Sequence, residues 1–261
     1  MGETKIEWAD KVWNPTSGCT KVSAGCKNCY AERIAKRFWH DRSFNEVVCH
    51  PERLDQPKHW RKPAMIFVDS MSDLFHPDVS RQFIANVWIT MQAAPWHKFL
   101  ILTKRPERMH EILADWTAGL DPQLWPEWPL PNVWLGVSAE NQEAADERIL
   151  TLLRTPAAVR FVSVEPMLQQ IYLRYYLPSK IPLPRFEQDK NLIVSDLDWV
   201  ICGCESGAGA RPCDIENIRY LRAQCQNSGT PFFLKQMMVD GHLVKMPELD
   251  GKVWAEYPKE A

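Results

Sequence analysis

Residues 159–166 read Val-Arg-Phe-Val-Ser-Val-Glu-Pro, a mostly apolar run that ends in a carboxylate and a proline. Similar runs recur with starts between 26 and 40 residues apart, about the size of a strand–helix–strand unit. Because these runs are continuously apolar, they predict strands that are buried on both faces. The other runs are Met65–Val68, Phe99–Leu102, Val133–Val137, Trp199–Cys202 and Pro231–Leu234, with a weaker candidate at Lys11–Trp13.

Helical patterns lie between these runs. Residues 79–91 carry one apolar face, Asn141 is placed to cap a helix through Leu153, and Asp214 is placed to cap another. Alternating strands and helices predict an α/β fold with parallel strands. No glycine-rich dinucleotide fingerprint follows an early strand, which favours a barrel over an open doubly wound sheet. We therefore expect a single domain over residues 1–261, built as a partial (β/α) barrel with six or seven parallel strands.

Two stretches interrupt this repeat. Residues 116–132 are rich in tryptophan and proline, which predicts a long loop. Residues 169–197 contain three tyrosines and several prolines and are predicted to form an insertion. Long loops in a compact domain are often lids over a functional site, and solvent-exposed insertions are at least as common.

The composition bounds the class of protein. The chain has 261 residues, of which 45% are hydrophobic and 25% charged, as in an ordinary soluble globular protein. The net charge of −2 excludes bulk basicity as a route to nucleic acid. No run approaches the roughly 18 apolar residues of a membrane span, and the polar N-terminus has no signal-peptide pattern. We expect a cytoplasmic protein without membrane contact, where clustered cysteines favour metal binding over disulfides.

Three cysteines stand in a C-x6-C-x2-C arrangement at Cys19, Cys26 and Cys29. Thiolates brought together in this way repel one another unless a soft metal neutralises them. A [4Fe–4S] cluster held by three cysteines keeps one iron open for a further ligand. Structural zinc normally takes four ligands, so a zinc site would need a histidine such as His40 or His50. Spacing alone leaves cluster and zinc about equally favoured.

Polar clusters follow nearly every predicted strand. Active sites of parallel barrels lie at the C-terminal ends of the strands, so these side chains are expected to face one mouth beside the cysteines. Such a mouth suits a zwitterionic ligand, which needs partners of both charges. The clusters are Asp69 to Asp73, Thr103 to Arg105, Ser138 to Asn141, Ser163 to Glu165, Gly203 to Gly207 with Arg211, and Lys235 with Gln236.

This ordered set of motifs resembles the phage- and prophage-associated family of radical S-adenosylmethionine (SAM)-like proteins with a three-cysteine motif. The matching stretches span almost the whole chain. They include Trp-Asn-Pro (13–15), Cys-Tyr-Ala-Glu (29–32), Phe-Val-Asp-Ser-Met-Ser-Asp (67–73), Leu-Thr-Lys-Arg-Pro (102–106), Leu-Gly-Val-Ser (135–138), Ser-Val-Glu-Pro (163–166), Gly-Cys-Glu-Ser-Gly (203–207) and Phe-Phe-Leu-Lys-Gln (232–236). The cysteine spacing is three residues longer than the C-x3-C-x2-C of most radical SAM enzymes, and Asn28 stands where an aromatic residue is usual.

The resemblance implies an enzyme with two cofactors. Cys19, Cys26 and Cys29 would ligate three irons of a [4Fe–4S] cluster, and the amino and carboxylate groups of SAM would occupy the fourth. Reductive cleavage of SAM would then give methionine and a 5′-deoxyadenosyl radical that abstracts hydrogen from a substrate. The SAM-binding role is assigned to Ser70, Ser72, Asp73, Ser138, Glu140 and Asn141, and the catalytic role to Lys104, Glu165, Glu205 and Lys235.

Partners and alternatives remain open at this stage. A nucleic acid or nucleotide is among the candidate substrates, and a flavodoxin or ferredoxin is the expected electron donor. Basic-aromatic stretches at residues 33–40 and 58–62 suit a phosphate backbone with stacked bases, and equally a solvated surface. The alternative function is a non-catalytic module, stabilised by zinc or a cluster, that binds nucleic acid or protein. A hydrolase using carboxylates around a divalent ion would leave the cysteines without a role. The remaining thiols Cys202, Cys204, Cys213 and Cys225 are expected to be core residues rather than ligands.

Overall fold

The structure is a computed structural model that describes residues 4, 6–119, 121, 125–178 and 196–259. Its strands are β1 (Lys11–Trp13), β2 (Thr16–Ser17), β3 (Val48–Cys49), β4 (Met65–Val68), β5 (Lys98–Thr103), β6 (Val133–Ser138), β7 (Val159–Val164), β8 (Trp199–Gly203), β9 (Phe232–Val239), β10 (His242–Lys245), β11 (Glu248–Leu249) and β12 (Lys252–Val253). Its α-helices are α1 (Tyr30–Phe38), α2 (Arg81–Gln92), α3 (Pro106–Gly119), α4 (Gln142–Arg154) and α5 (Ile215–Ser228).

The main sheet has eight strands in the order β1-β4-β5-β6-β7-β8-β9-β10. Neighbouring strands from β1 to β9 are parallel, whereas β10 pairs with β9 antiparallel. The sheet curls into a half-barrel. The predicted mixed α/β class is therefore confirmed, and the parallel strands β1 and β4 to β9 agree with the predicted six or seven. The antiparallel strand β10 was not predicted.

Both faces of the sheet are buried, as the continuously apolar runs predict. Ile66 and Val68 of β4 pack in a large cluster together with helix residues such as Ile84 and Ile149. Phe67, which lies between them in the strand, packs in a second and smaller cluster. This division follows because successive side chains of a strand point to opposite faces. The second cluster consists of Trp8, Phe67, Leu100, Trp134, Val159, Phe161, Trp199, Ile201 and Phe233.

The helix starts follow the predicted caps. The side chain of Asn141 accepts a hydrogen bond from Ala144 N at 2.8 Å and begins α4. The side chain of Asp214 accepts one from Glu216 N at 2.9 Å and begins α5. Such side chains satisfy backbone N–H groups that have no partner within the helix. None of the helices in the described ranges is long and apolar enough to cross a membrane.

The two interrupting stretches differ from expectation in part. Helix α3 extends to Gly119, so the predicted loop start at Trp116 is wrong. Trp116 stays helical because its ring packs against Trp88 and Trp128, with ring centroids 5.5 and 6.3 Å apart. In the predicted insertion, Ile171 is fully buried and joins the large cluster, so residues near it belong to the core. Residues 179–195 of that stretch lie outside the described residues.

Candidate cofactor site

A cavity of about 520 Å³ opens at the C-terminal ends of the parallel strands. This is the end at which sites of parallel barrels are built. The thiols of Cys19, Cys26 and Cys29 are on its wall. The structure thus brings the strand ends and the cysteines together at one mouth. The strand-end residues on the wall include Asp69, Ser70, Ser72, Asp73, Thr103, Lys104, Arg105, Ser138, Ser163, Glu165, Cys204, Glu205, Lys235 and Gln236.

The cysteine loop, residues 18–30, needs two glycines at fixed positions. Gly18 has a φ of 91°, and a Cβ there would lie 2.1 Å from the carbonyl oxygen of Glu46. A Cβ on Gly25 would lie 2.9 Å from Cδ of Glu140. Only glycine permits both the left-handed conformation and the close approach. The loop therefore packs directly against the chain that follows α1 and against the end of β6.

The chemistry of the three thiols suits a soft metal or an iron–sulfur cluster. All three are free. Burial, followed by the charge of Asp73, raises the pKa of Cys19 to about 11. Burial acts to raise the pKa of Cys26 as well, but Lys104 and backbone N–H groups outweigh it, so that pKa is lowered. The surroundings therefore favour the thiolate, the form that binds metal, at Cys26 and disfavour it at Cys19.

The three cysteine sulfurs are not arranged as a complete set of metal ligands. Within the described ranges, no three His, Cys, Asp or Glu side chains lie close enough together to hold a metal ion. The three cysteines therefore fit a cluster because thiols are the right ligand type and because all three line one cavity. Their positions do not form a ready-made ligand site. Both candidate zinc ligands lie off the cavity wall. His40 is exposed, and His50 Nε2 lies 2.6 Å from Ser17 Oγ.

Glu140, which follows β6, holds the middle of the cysteine loop. Its Oε1 accepts a hydrogen bond from Gly25 N at 3.1 Å, and its Oε2 accepts one from Arg148 Nη1 at 3.0 Å. Burial acts to raise the pKa of Glu140, but contacts with Ser23 and Arg148 outweigh it and the pKa is lowered. Both carboxylate oxygens have protein partners, and Glu140 does not line the cavity.

Glu205, which follows β8, holds the end of the same loop. Its Oε2 accepts hydrogen bonds from Asn28 Nδ2 at 2.8 Å and from Arg211 N at 2.9 Å. Arg211 also donates from Nη1 to the carbonyl oxygen of Ala24 at 3.0 Å. Burial acts to raise the pKa of Glu205, but these donors, chiefly Arg211, outweigh it and lower the pKa to about 2. The carboxylate is thus ionised and committed to the loop.

Asp73, which follows β4, holds an arginine against the start of the loop. Its Oδ1 accepts a hydrogen bond from Thr103 Oγ1 at 2.7 Å, and its Oδ2 accepts one from Arg105 Nη1 at 2.9 Å. Arg105 Nη2 donates to the carbonyl oxygen of Thr20 at 3.0 Å. Arg105 Nη1 also lies 3.6 Å from Cys19 Sγ. This ion pair joins the end of β5 to the first cysteine.

Asp69 begins a chain of hydrogen bonds that reaches the loop. Its Oδ2 lies 2.9 Å from Thr16 Oγ1, which lies 2.8 Å from Ser72 Oγ. Ser72 in turn donates to the carbonyl oxygen of Gly18 at 2.8 Å. Thr16 donates to both carboxylate oxygens of Asp69, from Oγ1 to Oδ2 and from the backbone N to Oδ1, each at 2.9 Å. These donors act to lower the pKa of Asp69, but burial outweighs them and raises it to about 8.

Glu165 and Lys235 form a separate charged pair on the cavity wall. Lys235 Nζ lies 3.1 Å from Glu165 Oε1, and Ser163 Oγ donates to Glu165 Oε2 at 3.1 Å. In the part of the chain that the structure describes, no hydrogen bond or ion pair joins this pair to the cysteine loop. Lys104 also lines the cavity, close enough to Cys26 to lower its pKa.

The predicted site residues thus separate into two groups. The four assigned to catalysis, Lys104, Glu165, Glu205 and Lys235, all line the cavity. Of the six assigned to SAM, Ser70, Ser72, Asp73 and Ser138 line it, whereas Glu140 and Asn141 do not.

Of the remaining predicted core thiols, Cys202, Cys204 and Cys225 are buried in the large cluster, and Cys213 packs against it while partly exposed. Cys202 and Cys225 pack as small apolar residues. Cys204 also lines the cavity beside the cysteine loop, and its hydrogen bond with Cys213 lowers its pKa.

Two residues with structural roles at the site were missed by sequence reasoning. Arg148 is buried on α4 next to Ile149, and it donates to the carbonyl oxygen of Ser138 at 2.7 Å. The position of Arg148 in the apolar stripe of its helix could have indicated this role, since arginine is seldom buried without a partner. Thr16 offers no comparable signal, because a threonine before an expected loop is common.

Comparison with known proteins places the chain in one family. Residues 3–258 match the family model described as "Protein of unknown function (DUF5131)". Because this match covers nearly the whole chain, the chain belongs to that family. No curated protein and no solved structure matches it.

Proposed function

We propose that this DUF5131-family chain is a radical SAM-like enzyme, related to the phage-associated three-cysteine group. Cys19, Cys26 and Cys29 would hold a [4Fe–4S] cluster, leaving one iron open for SAM. The observation that carries the proposal is that Cys19, Cys26 and Cys29, all free, line one cavity at the mouth of a parallel half-barrel, where Cys204 is a fourth lining cysteine. When bound, a reduced cluster and SAM supply the chemistry, in which SAM is cleaved to methionine and a 5′-deoxyadenosyl radical.

The residues of the chain bind and orient these groups. Ser70, Ser72 and Ser138 line the cavity and are assigned to the polar groups of SAM. The hydroxyls of Ser70 and Ser72 already donate to Asn14 Oδ1 and to the carbonyl oxygen of Gly18, so these two are assigned as acceptors. The ammonium group of Lys104 is assigned to the SAM carboxylate. Glu140 and Asn141 have protein partners and lie off the cavity wall, so we assign them to positioning the loop and α4.

Glu165 and Lys235 are assigned to the substrate. Their carboxylate and ammonium groups lie 3.1 Å apart on the cavity wall, where one can accept and the other donate a proton. Glu205 lines the cavity too, but its ion pair with Arg211 commits it to holding the loop. We therefore place the substrate nearer Glu165 than Glu205.

A nucleobase or nucleic acid is the proposed substrate class. Helix α1 exposes Phe38, which is 62% exposed, and the guanidinium carbon of Arg37 lies 5.2 Å from its ring centroid. Tyr30 and Ile34 precede Phe38 at intervals of four residues, so they lie on the same face of α1. Both of them line the cavity. Exposed rings beside arginines suit stacked bases and phosphates. A cytoplasmic flavodoxin or ferredoxin is the proposed electron donor.

The test is anaerobic reconstitution with iron and sulfide, followed by reduction with dithionite in the presence of SAM. Formation of 5′-deoxyadenosine, measured by chromatography, is expected from the wild-type chain and not from Cys19→Ala, Cys26→Ala or Cys29→Ala. Purified protein that holds zinc, forms no cluster and does not bind SAM would support the non-catalytic binding module instead.

A further inference from the structure

Arg105 brings a permanent positive charge into hydrogen-bonding range of a cysteine sulfur. Its Nη1 lies 3.6 Å from Cys19 Sγ, and its Nη2 donates to the carbonyl and hydroxyl oxygens of Thr20, each at 3.0 Å. The side chain is 11% exposed. A guanidinium group stays charged at any physiological pH and presents its donors in a rigid fork. The first thiol of the loop therefore faces a fixed donor.

Asp73 fixes the direction of that donor. The carboxylate is 8% exposed and accepts four hydrogen bonds. Two come from backbone N–H groups, Phe75 N at 3.0 Å and Lys104 N at 3.2 Å. The others come from Thr103 Oγ1 at 2.7 Å and Arg105 Nη1 at 2.9 Å. A carboxylate held by so many donors cannot turn, so the guanidinium group paired with it is held as well.

A donor in this place acts on the electronics of an iron–sulfur cluster. Hydrogen bonds to the sulfurs and the net charge around a cluster set its reduction potential. Reduction adds one electron, here from dithionite, and neither forms nor breaks a bond. A hydrogen bond to a ligand sulfur stabilises the more negative reduced state most, and therefore raises the potential.

We propose that Arg105, held in place by Asp73, is a positioning residue that raises the reduction potential of the cluster through its hydrogen bond to Cys19. This inference rests on the proposed function, because it requires the cluster. Asp73 was predicted to bind SAM. Here its role is to hold Arg105, with which it pairs in the structure.

The neighbouring helix turn supplies a matched control. Arg108 lies three residues later on α3 and donates to the backbone oxygens of His76 and Val79. Arg108 therefore lies near Arg105, in the first turn of α3, but it contacts the chain after β4 and not a thiol. Arg105→Lys keeps a positive charge beside Asp73 but loses the fork that reaches both Thr20 and Cys19.

The experiment is a redox titration of the reconstituted wild type, Arg105→Lys, Arg105→Gln and Arg108→Lys, followed by electron paramagnetic resonance. Both Arg105 variants are expected to reduce at a more negative potential, with an equilibrium constant for reduction at least tenfold smaller, or about 59 mV. Arg108→Lys should match the wild type. If Arg105→Gln does not accumulate as folded protein, Arg105→Lys decides the question.

The possible outcomes separate the inference from the proposed function. A full cluster with an unchanged midpoint potential in Arg105→Lys would overturn the inference and leave the function standing. Lower iron content with an unchanged potential would overturn it too, since Arg105 would then only hold the loop. Failure of the wild type to form any cluster would overturn the proposed function itself.

Discussion

Two regions of the cavity mouth use charged side chains in different ways. Around the cysteine loop, the loop-holding carboxylates Asp73, Glu140 and Glu205 accept hydrogen bonds from donors on other parts of the chain. Elsewhere on the cavity wall, Glu165, which follows β7, pairs with Lys235 of β9. A strand-end carboxylate is therefore a candidate for ligand binding only once its protein partners are known. Under the proposed function, the loop-holding carboxylates would position the loop, and the Glu165–Lys235 pair would face the substrate.

The strongest test of this division removes a thiol. Cys26→Ala should abolish binding of iron and inorganic sulfide, because a cluster held by three cysteines loses one of its ligands. Cys213→Ala, which changes a partly exposed thiol off the cavity wall, is the matched control and should retain both. Iron and acid-labile sulfide would be measured after reconstitution. Equal iron content in the two variants would show that the cysteine loop does not hold the cluster.

The same Glu→Gln substitution in each region should have different effects. Glu140→Gln weakens the acceptor for Arg148 and should lower the affinity for the cluster about 10- to 100-fold, as loss of an outer-shell partner does. Glu165→Gln should leave that affinity unchanged, because the ion pair and hydrogen bond of Glu165 are with Lys235 and Ser163 and not with the loop. Iron retention under a chelator challenge measures the effect. Equal losses in both variants would show that the two regions are not separate.

A third test concerns the proton on Asp69. Its pKa of about 8, raised from 3.8 by burial, means that the folded state binds a proton that the unfolded state releases. The resulting stabilisation is complete below about pH 4 and is lost as pH rises to about 8. Asp69→Asn does not titrate and should exceed the wild type by about 1–3 kcal/mol near pH 9, where the wild type holds a buried charge.

Urea unfolding of the metal-free proteins between about pH 5 and pH 9 measures this difference. Asp78→Asn is the control, since the Asp78 side chain is 68% exposed. Parallel pH profiles for the wild type and Asp69→Asn would show that burial does not raise the pKa of Asp69.

The smallest expected effect lies one residue beyond Glu140. Asn141→Ala removes the cap of α4 and should cost about 1 kcal/mol of stability to urea. Iron content should not change, because Asn141 contacts neither the loop nor the cavity. Adjacent residues would then differ sharply, Glu140 acting on the cluster and Asn141 on the helix. A loss of iron in Asn141→Ala would show that α4 itself positions the loop.

Much of the fold was predictable because its signals are local. An apolar run such as Met65–Val68 and a cap such as Asn141 are read within a few residues, and the strand β4 and helix α4 agree with them. The strand β10 was missed because His242–Lys245 is short and mostly exposed, so no apolar run marks it.

The roles at the site were less predictable because they depend on partners far apart in the chain. Glu140 meets Gly25 across 115 positions, and Glu205 meets Asn28 across 177. Nothing near Glu140 in the sequence distinguishes a carboxylate that holds a loop from one that binds SAM. The sequence predicted which residues gather at the mouth, and the hydrogen bonds show which of them already have partners.

Electron paramagnetic resonance tests whether the cysteine loop holds a cluster with one iron open for SAM. The spectrum of the reduced, reconstituted protein is recorded before and after addition of SAM. We expect a [4Fe–4S] signal that SAM changes, because SAM would become a ligand of the open iron. A cluster signal that SAM leaves unchanged, or a protein that binds zinc and gives no signal, would contradict the proposed function.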